Sequence, residues 1–373
     1  MSITKLKFSV PVFVTAFIGM MFLAVSSNAN VFKYIPENCS VIGSINVKQV
    51  SQIESIKKQI EKNNTSEYMK QLESAGVSIE NINTVVFGVD ISSITGVSAN
   101  QVGSVDGVMF VSTDKAVSMD NMIKIAEKDN KGVKIEKSEI GKQVVYVIKD
   151  SSDNTPDMIM TELSSNLLAI GTKPALSSAI ELYNGKGKSV LDDADLIKVA
   201  GNLDRNDMFW AAVVVPKELL AKESKLSADQ QAPQIKSGLI YANYKKEILN
   251  VSGTLNCLTD KDAQNILLPA QMLLSIAGMN TDNAVNAECI QLDKKDAKIL
   301  NININLPKKT LEMLAAEAVK AGEQQAQAFQ NAPSNEDVEN INYESTEVEA
   351  VNTSAENVQP DNAAPSKDQV NAK

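Results

Sequence analysis

The sequence predicts an α+β fold in which two similar halves each form a mostly antiparallel sheet with packed helices. Three observations lead to this prediction. Alternation typical of a strand is clearest in ILNININL (299–306), where Leu or Ile alternates with Asn. Apolar residues at helical spacing occur at 119–126, 176–183 and 311–318. The third observation is that the same order of elements occurs twice along the chain.

Each half follows the order strand, helix, strand, strand, helix, strand, strand, helix. The first half opens with SVIGSINVKQV (40–50), and the second opens with MFWAAVVV (208–215). VMFVSTDKAVSM (108–119) and TLNCLTDKDAQN (254–265) occupy the same place in the two halves. We therefore predict an internal duplication, with a first half at 30–190 and a second half at 191–322.

The shared Thr-Asp-Lys is interpreted as a helix start rather than a catalytic motif. Thr113 and Thr259 each stand where a helix needs a side-chain oxygen to accept its free backbone N–H groups. Asp114 and Asp260 would then lie in the first turn, where the helix dipole favours negative charge. Capping accounts for both copies, so neither aspartate is assigned a catalytic or metal-binding role.

The segment ILLPAQMLLSIAGM (266–279) is strongly apolar but too short to span a membrane. It is predicted to be a buried helix that is bent at Pro269 or begins there.

The first residues have the layout of a secretory signal. Lys5 and Lys7 precede an uncharged apolar run, and Ser27-x-Ala29 supplies small residues for cleavage. We expect residues 1–29 to be removed, so that the mature chain begins at Asn30. The alternative is an uncleaved anchor. After cleavage the sequence predicts an exported protein, located in the periplasm, in the cell envelope or outside the cell, with no membrane span.

The last residues, 323–373, are predicted to be a disordered acidic tail. They carry ten acidic residues and two lysines, which is most of the net charge of −10 of the whole chain. With so few apolar residues, this segment cannot bury enough surface to offset chain entropy. A solvated spacer is the main interpretation, and a tether to a basic partner or to the envelope is the alternative.

Several chemistries are excluded by composition. The chain has no His, which removes Ser-His-Asp and Cys-His catalysis and every metal site that contains His. It has neither a Walker-type phosphate loop nor a G-x-G-x-x-G after a strand. Arg205 is the single arginine, and the balance of charge is acidic, which argues against nucleic-acid binding. We predict no cofactor, no metal site and no catalytic residue.

A few arrangements remain open. SIKK (55–58) matches a Ser/Lys pattern by letters, and Asp192-Asp193 and Asp204/Asp207 are paired carboxylates that could hold a hard cation. Solvated lysines and turn residues are the simpler interpretations of these groups. Among the three cysteines, Cys257 and Cys289 could form a disulfide or remain buried free thiols.

The opening stretch YIPENCSVIGSINVKQV (34–50) resembles exported bacterial proteins of unassigned function. Their mature chains also begin with a Tyr-aliphatic-Pro stretch followed by a strand and a helix. The resemblance covers this opening and the rhythm of the halves, and it implies no activity.

These observations favour a non-enzymatic exported protein with a binding or structural role, whose partner is an unknown protein or an apolar ligand. The first alternative is a carrier of an apolar or lipid-like ligand, held in a concave sheet or between the halves. The second is a hydrolase that uses Ser, Lys or Asp.

Overall fold

Twelve strands form one antiparallel sheet in the computed structural model of the chain. The structure describes residues 29–54, 56–58, 73, 75, 78–93, 105–129, 133–150, 157–203, 206–223, 233–280 and 285–313. The strands are β1 (Val41–Asn46), β2 (Ile82–Asp90), β3 (Asp106–Thr113), β4 (Val133–Ile140), β5 (Gln143–Asp150), β6 (Met158–Ser164), β7 (Leu167–Thr172), β8 (Phe209–Val214), β9 (Ile235–Lys245), β10 (Ile248–Cys257), β11 (Ile290–Leu292) and β12 (Ile299–Pro307).

Helices of very different length connect these strands. They are α1 (Ala29–Phe32), α2 (Val47–Val50), α3 (Met119–Asp129), α4 (Lys173–Tyr183), α5 (Ala194–Ala200), α6 (Lys217–Glu223) and α7 (Asp260–Asn280). Short 3₁₀ turns occur at Ile79–Asn81, Ile91–Ser93, Val190–Asp192 and Ala287–Cys289. A further helical segment follows β12 at 308–313. The mixed, largely antiparallel character that the sequence predicts is therefore confirmed.

The strands of the two predicted halves meet at β1, which pairs with β2 on one side and β8 on the other. Ile45 of β1 lies opposite Val85 of β2 and opposite Phe209 of β8. Gly43 permits this close packing, because a Cβ at this position would lie 2.4 Å from Cζ of Phe87. The structure thus has one continuous sheet where the sequence predicts a sheet for each half.

The strand order has the same form on both sides of this junction. Outward from β1 the order is β1-β2-β3-β7-β6, and outward from β8 it is β8-β9-β10-β12-β11. A helix follows the third strand in both series, α3 after β3 and α7 after β10. The first series then continues with β5 and β4, which have no counterpart among the described strands of the second series.

The β4–β5 hairpin is a part of the fold that the sequence analysis does not predict. Its strands pair from Val133 to Asp150 around a turn at Gly141, whose φ of 62° favours glycine. In β4, charged side chains point to both faces, so the alternation that marks a half-buried strand is weak. Pairing with β5, rather than burial of one face, holds β4 in the sheet.

Helices cover both faces of the central strands. One face packs against α1, α4 and α5, through buried residues that include Phe32, Ile35, Leu176, Ile180, Leu196, Phe110 and Trp210. The other face packs against α2 and α3 through Val47, Val50, Met119, Val85, Phe87 and Val111. The helix α7 lies farther along this second face, against Leu255 and Leu300.

The alternation predicted in 299–306 agrees with the register of β12. Leu300, Ile302 and Ile304 lie opposite Leu255, Gly253 and Val251 of β10, on the face that α7 partly covers. The asparagines of β12, Asn305, Asn303 and Asn301, lie opposite Asn250, Ser252 and Thr254. The other face of this end of the sheet is therefore polar, and Asn303 and Asn305 are exposed.

Candidate docking surface on helix α7

The start of α7 is fixed by reciprocal hydrogen bonds between Thr259 and Asp262. The Asp262 backbone N–H donates to Oγ1 of Thr259 (3.1 Å), and the Thr259 backbone N–H donates to Oδ2 of Asp262 (3.0 Å). These two bonds form a capping box with Asp at its third helical position. Asp262 also accepts the backbone N–H of Gln234 at 3.1 Å, which ties the helix start to the segment before β9. The prediction that Thr259 caps a helix is confirmed.

The corresponding prediction for Thr113 is wrong. Thr113 is the last residue of β3, its hydroxyl donates to the Lys115 carbonyl (2.7 Å), and α3 begins only at Met119. The Asn121 backbone N–H instead lies 3.4 Å from Oγ of Ser118. Residues 114–118 lie between Thr113 and the helix, so the Thr113 hydroxyl is too far along the chain to accept a free N–H of the first turn of α3.

One side of α7 packs on the sheet. Ala263 is fully buried there, and Ile266, Leu267, Ala270 and Leu274 are partly buried. These residues recur at helical spacing, so they form one stripe. Gln271 lies beside the stripe and donates to the Ile290 carbonyl at 3.1 Å. The predicted burial of this helix is confirmed for this side alone.

The opposite side of α7 is apolar and exposed, so the predicted burial is wrong for this side. Leu268, Met272 and Leu273 are each 67% exposed, and Ile276 is 50% exposed. Pro269 lies within the helix and is also exposed. No charged residue occurs from position 263 to position 280. We call Leu268, Pro269, Met272, Leu273 and Ile276 the outer face of α7.

This outer face carries a large free-energy cost in water. Full burial of one such side chain is worth about 1.5–3 kcal/mol, so burying the exposed parts of the four large ones would release roughly 4–8 kcal/mol. Single exposed apolar residues are ordinary, whereas an apolar patch of a few hundred Å² is often functional. The outer face is therefore a candidate docking surface.

Asp114 takes part in a surface polar contact rather than in a cleft. Its carboxylate accepts from Nζ of Lys48 at 2.6 Å and from Nδ2 of Asn83. The Lys48 ammonium, followed by the Asn83 amide, lowers the pKa of Asp114. Asp114 follows β3 and Asp260 follows β10, and these two strands lie on opposite sides of the junction. Asp260 is the first residue of α7.

A second charged cluster links distant parts of the chain. Lys308 Nζ lies 2.6 Å from Oε2 of Glu54 and 3.1 Å from Oε1 of Glu247. Hydrogen bonds from Lys308 and Lys58 lower the pKa of Glu54 to about 2, and the bond to Glu54 raises the pKa of Lys308. The cluster is exposed and its charges are already paired, so it serves as a contact between the segment after α2 and the end of β12.

The paired carboxylates of the sequence have structural partners. Asp192 accepts the Ser189 backbone N–H, and Asp193 caps α5 by accepting from Asp195 and Leu196. Asp207 accepts from the side chain of Asn243. Asp204, Arg205 and Ser55 lie outside the described residues, as do 1–28 and the tail 323–373. Among the residues that the structure describes, no three Cys, Asp or Glu side chains form a group that could hold a metal ion.

The three cysteines are free and buried. Cys257 and Cys289 therefore remain buried free thiols and do not form a disulfide. Burial, with a smaller contribution from Asp90 and Asp106, raises the pKa of Cys39 to about 12. Burial also raises the pKa of Cys257. Thiols that stay protonated are poor nucleophiles, so Cys39 and Cys257 act as small core residues, and Cys289 is also buried.

A pocket of about 320 Å³ lies beside the carboxyl end of α4, between that helix and the segment after α1. Its lining combines Pro36 and Leu182 with Glu37, Glu181 and Lys188, and Lys188 already pairs with Glu37. It therefore does not offer the largely apolar lining expected of a lipid carrier.

Comparison with known proteins assigns no family. No protein-family model matches the chain, and no curated protein matches it. Three crystal forms of TP0453 are similar in structure. Form III has 10% identity and a TM-score of 0.43, with 76% of this chain and 97% of that chain covered. Form I has 9% identity and a TM-score of 0.41, with 78% and 98% covered. Form IV has 10% identity and a TM-score of 0.42, with 78% and 96% covered.

In the described part of the chain, no helix is both long and apolar enough to cross a membrane.

Proposed function

We propose that the protein is an exported, non-enzymatic binding protein of the cell envelope that docks on a lipid surface through the outer face of α7. The observation that carries the proposal is the exposure of Leu268, Met272, Leu273 and Ile276 on a helix with no charged residue from 263 to 280. A helix of this kind can lie in the interface of a bilayer with its apolar side buried among acyl chains.

The size of the outer face favours lipid over a second copy of the chain. At about 25 cal/mol per Å², the roughly 4–8 kcal/mol above corresponds to about 160–320 Å². A stable protein–protein interface buries about 800 Å² on each partner. A lipid surface needs no complementary shape, so a small patch can be buried completely there.

A gain of roughly 4–8 kcal/mol from burial of the outer face implies weak and reversible docking by α7 alone. Association costs several kcal/mol in lost freedom of motion, and stable membrane attachment generally requires two signals. The apolar run in residues 8–25 would be the second signal in any copies that keep it. The acidic tail at 323–373 is then a solvated spacer.

We also propose that the body arose by duplication, with halves at 30–190 and 191–322. The matching strand order on the two sides of the junction supports this proposal. The β4–β5 hairpin is then an addition to the first half. In the second half the equivalent space next to β11 carries no described strand.

Vesicle flotation tests the lipid-docking proposal. Natively produced protein should float with phosphatidylcholine vesicles, and the double variant Leu268→Gln, Met272→Gln should lose about 30-fold or more in affinity. Leu191→Gln is the matched control, because Leu191 is 42% exposed outside α7. Binding should not need anionic lipid, since the outer face is uncharged. Equal flotation of all three proteins would reject the proposal. A dimer that is lost in the double variant would identify a second copy as the occupant.

A further inference from the structure

One face of the second half of the sheet presents a group of uncharged polar side chains. The register of β10 and β12 pairs them in three rows across the two strands, Asn250 with Asn305, Ser252 with Asn303, and Thr254 with Asn301. Residues that lie directly opposite each other in an antiparallel pair share a face, so the six side chains lie together. We call these six residues the amide face.

The amide face continues the face of the sheet that α1, α4 and α5 cover over the central strands. Ser252 lies opposite Tyr241 of β9, and Tyr241 lies opposite Trp210 of β8, which belongs to the core under those helices. Among the described helices, α7 packs on Leu255 and Leu300, which point to the other face. The amide face therefore begins where the described helical cover ends.

No charged residue interrupts the amide face. The 10 residues of β10 and the nine of β12 include no Asp, Glu, Lys or Arg. An antiparallel sheet commonly leaves one face to water. The exposed strand β4 of this protein does so with Lys134, Glu136, Lys137 and Glu139. Contact with water alone thus does not account for the lack of charge on β10 and β12.

The choice of Asn on these strands also has a cost. Two residues of β10 and three of β12 are Asn. Asn is depleted in strands, whereas Val and Thr fit a pleated surface well. Residues that break such a local preference are expected where a protein has a functional site.

Most of the hydrogen-bonding capacity of the amide face is free. Asn301 donates to Oδ2 of Asp293 at 3.0 Å, and Asn250 donates to the Ile248 carbonyl at 3.2 Å. The other four side chains have no hydrogen-bond partner among the described residues, namely Ser252, Thr254, Asn303 and Asn305. An Asn amide offers two donors and an acceptor, and a hydroxyl offers one donor and two lone pairs. Donors and acceptors therefore stand side by side.

We propose that the amide face binds a neutral glycan chain laid along the sheet. Sugar hydroxyls donate and accept hydrogen bonds, so they match side chains that do both. Side chains on one face recur about every 6.8 Å along a strand and about every 4.8 Å from strand to strand. Such a regular array of groups suits a polymer with a regular repeat of hydroxyls.

Other classes of partner fit the amide face less well. The core of a protein–protein interface is enriched in aromatic residues, Met and Arg, and none of the six residues is of these types. Nucleic acid requires Lys or Arg opposite its phosphates. A lipid surface requires apolar side chains, which this protein presents on the outer face of α7. The glycan proposal therefore concerns a second surface and does not depend on lipid docking.

Isothermal titration calorimetry of the natively produced protein tests the inference, with the hexasaccharides of chitin and of cellulose as neutral glycans. The wild type should bind at least one of them. The double variant Asn303→Val, Asn305→Val should bind about 10-fold or more weakly, because it loses the hydrogen bonds of two amides. Val is favoured in strands, so this variant should unfold at no lower temperature than the wild type. Ser138→Val, on the exposed strand β4, is the control and should bind as the wild type does.

The variant Leu268→Gln, Met272→Gln separates the two proposals, because it should lose vesicle flotation and keep glycan binding. The absence of binding to both hexasaccharides would overturn the inference, and so would equal affinities of the wild type and the Asn303→Val, Asn305→Val variant. A dimer that dissociates in this Val variant, without glycan binding, would identify a second copy as the occupant and would also overturn it. None of these results would affect lipid docking by α7.

Discussion

The Nζ atom of Lys308 lies 2.6 Å from Oε2 of Glu54, although 254 positions separate the two residues in the sequence. Glu54 follows α2, which packs on the central strands, and Lys308 follows β12 near the far end of the sheet. The segment after α2 therefore extends over the same face of the sheet to strands of its second half, where Ile53 and Ile56 belong to one core cluster with Tyr244 and Leu249. The two charges meet only when both of these remote segments are in place. The charge pair therefore depends on the complete fold.

The first prediction concerns the pH dependence of this pair. The pKa of Glu54 is lowered to about 2 by Lys308 and Lys58. A lowered carboxyl pKa stabilises the folded state above the ordinary value of about 4.5, and this contribution is lost as pH falls towards 2. The stability difference between the wild type and Lys308→Met should be constant from pH 6 to about pH 8 and shrink below about pH 4.5. Urea unfolding at each pH measures it, with Lys294→Met as the exposed control. A difference that persists at pH 2 would show that packing, not charge, is responsible.

The second prediction compares the two threonines of the repeated Thr-Asp-Lys. Thr259→Ala should lower the free energy of unfolding by about 0.5–2 kcal/mol, since it removes an N-cap. Thr113→Ala should cost less, because Thr113 caps no helix. Asp260→Asn should cost a few tenths to about 1 kcal/mol, as a first-turn charge does. Thermal unfolding of the three variants measures these values. A larger loss for Thr113→Ala would contradict the helix start at Met119.

The third prediction concerns Phe32, the last residue of α1, whose ring stacks on that of Trp210. Phe32→Ala should lower the free energy of unfolding by about 3–5 kcal/mol, because it leaves a cavity beside Trp210. Lys33→Ala, at the exposed neighbouring position, should cost less than about 1 kcal/mol. Trp210 is the single tryptophan of the chain, so its fluorescence reports directly on the loss of the stacked ring. Equal stability of both variants would show that Phe32 is not part of the core.

The fourth prediction concerns the thiols. Cys39, Cys257 and Cys289 are buried, so a thiol reagent at pH 8 should modify none of them in the folded protein and all three in guanidinium. The count after unfolding without reductant distinguishes this from a disulfide, which would leave a single reactive thiol. Rapid labelling of one cysteine in the folded protein would show that its surroundings open readily.

The sequence contains enough information to predict the strands with one polar face, such as 299–306, and the helix cap at Thr259. These features depend on neighbours within a few residues. The β1–β8 junction could not be predicted, because it pairs residues that are far apart and its apolar pattern fits a central strand of either half. The outer face of α7 was missed because an apolar run indicates burial without indicating what covers it. The β4–β5 hairpin was missed because its strands carry charges on both faces.

The two ends of the sheet differ in a way that limits how copies of the chain could add to one another. At one end the edge strand β4 presents Lys134, Glu136 and Lys137, and charged edges oppose the addition of another strand. At the other end β11 pairs only with Leu300–Ile302 of β12, so among the described strands the rest of the β12 edge has no neighbour. Stacking of sheets end to end into a fibre requires two compatible edges on every molecule. The described strands offer one such edge, so growth by strand addition would stop at a closed pair.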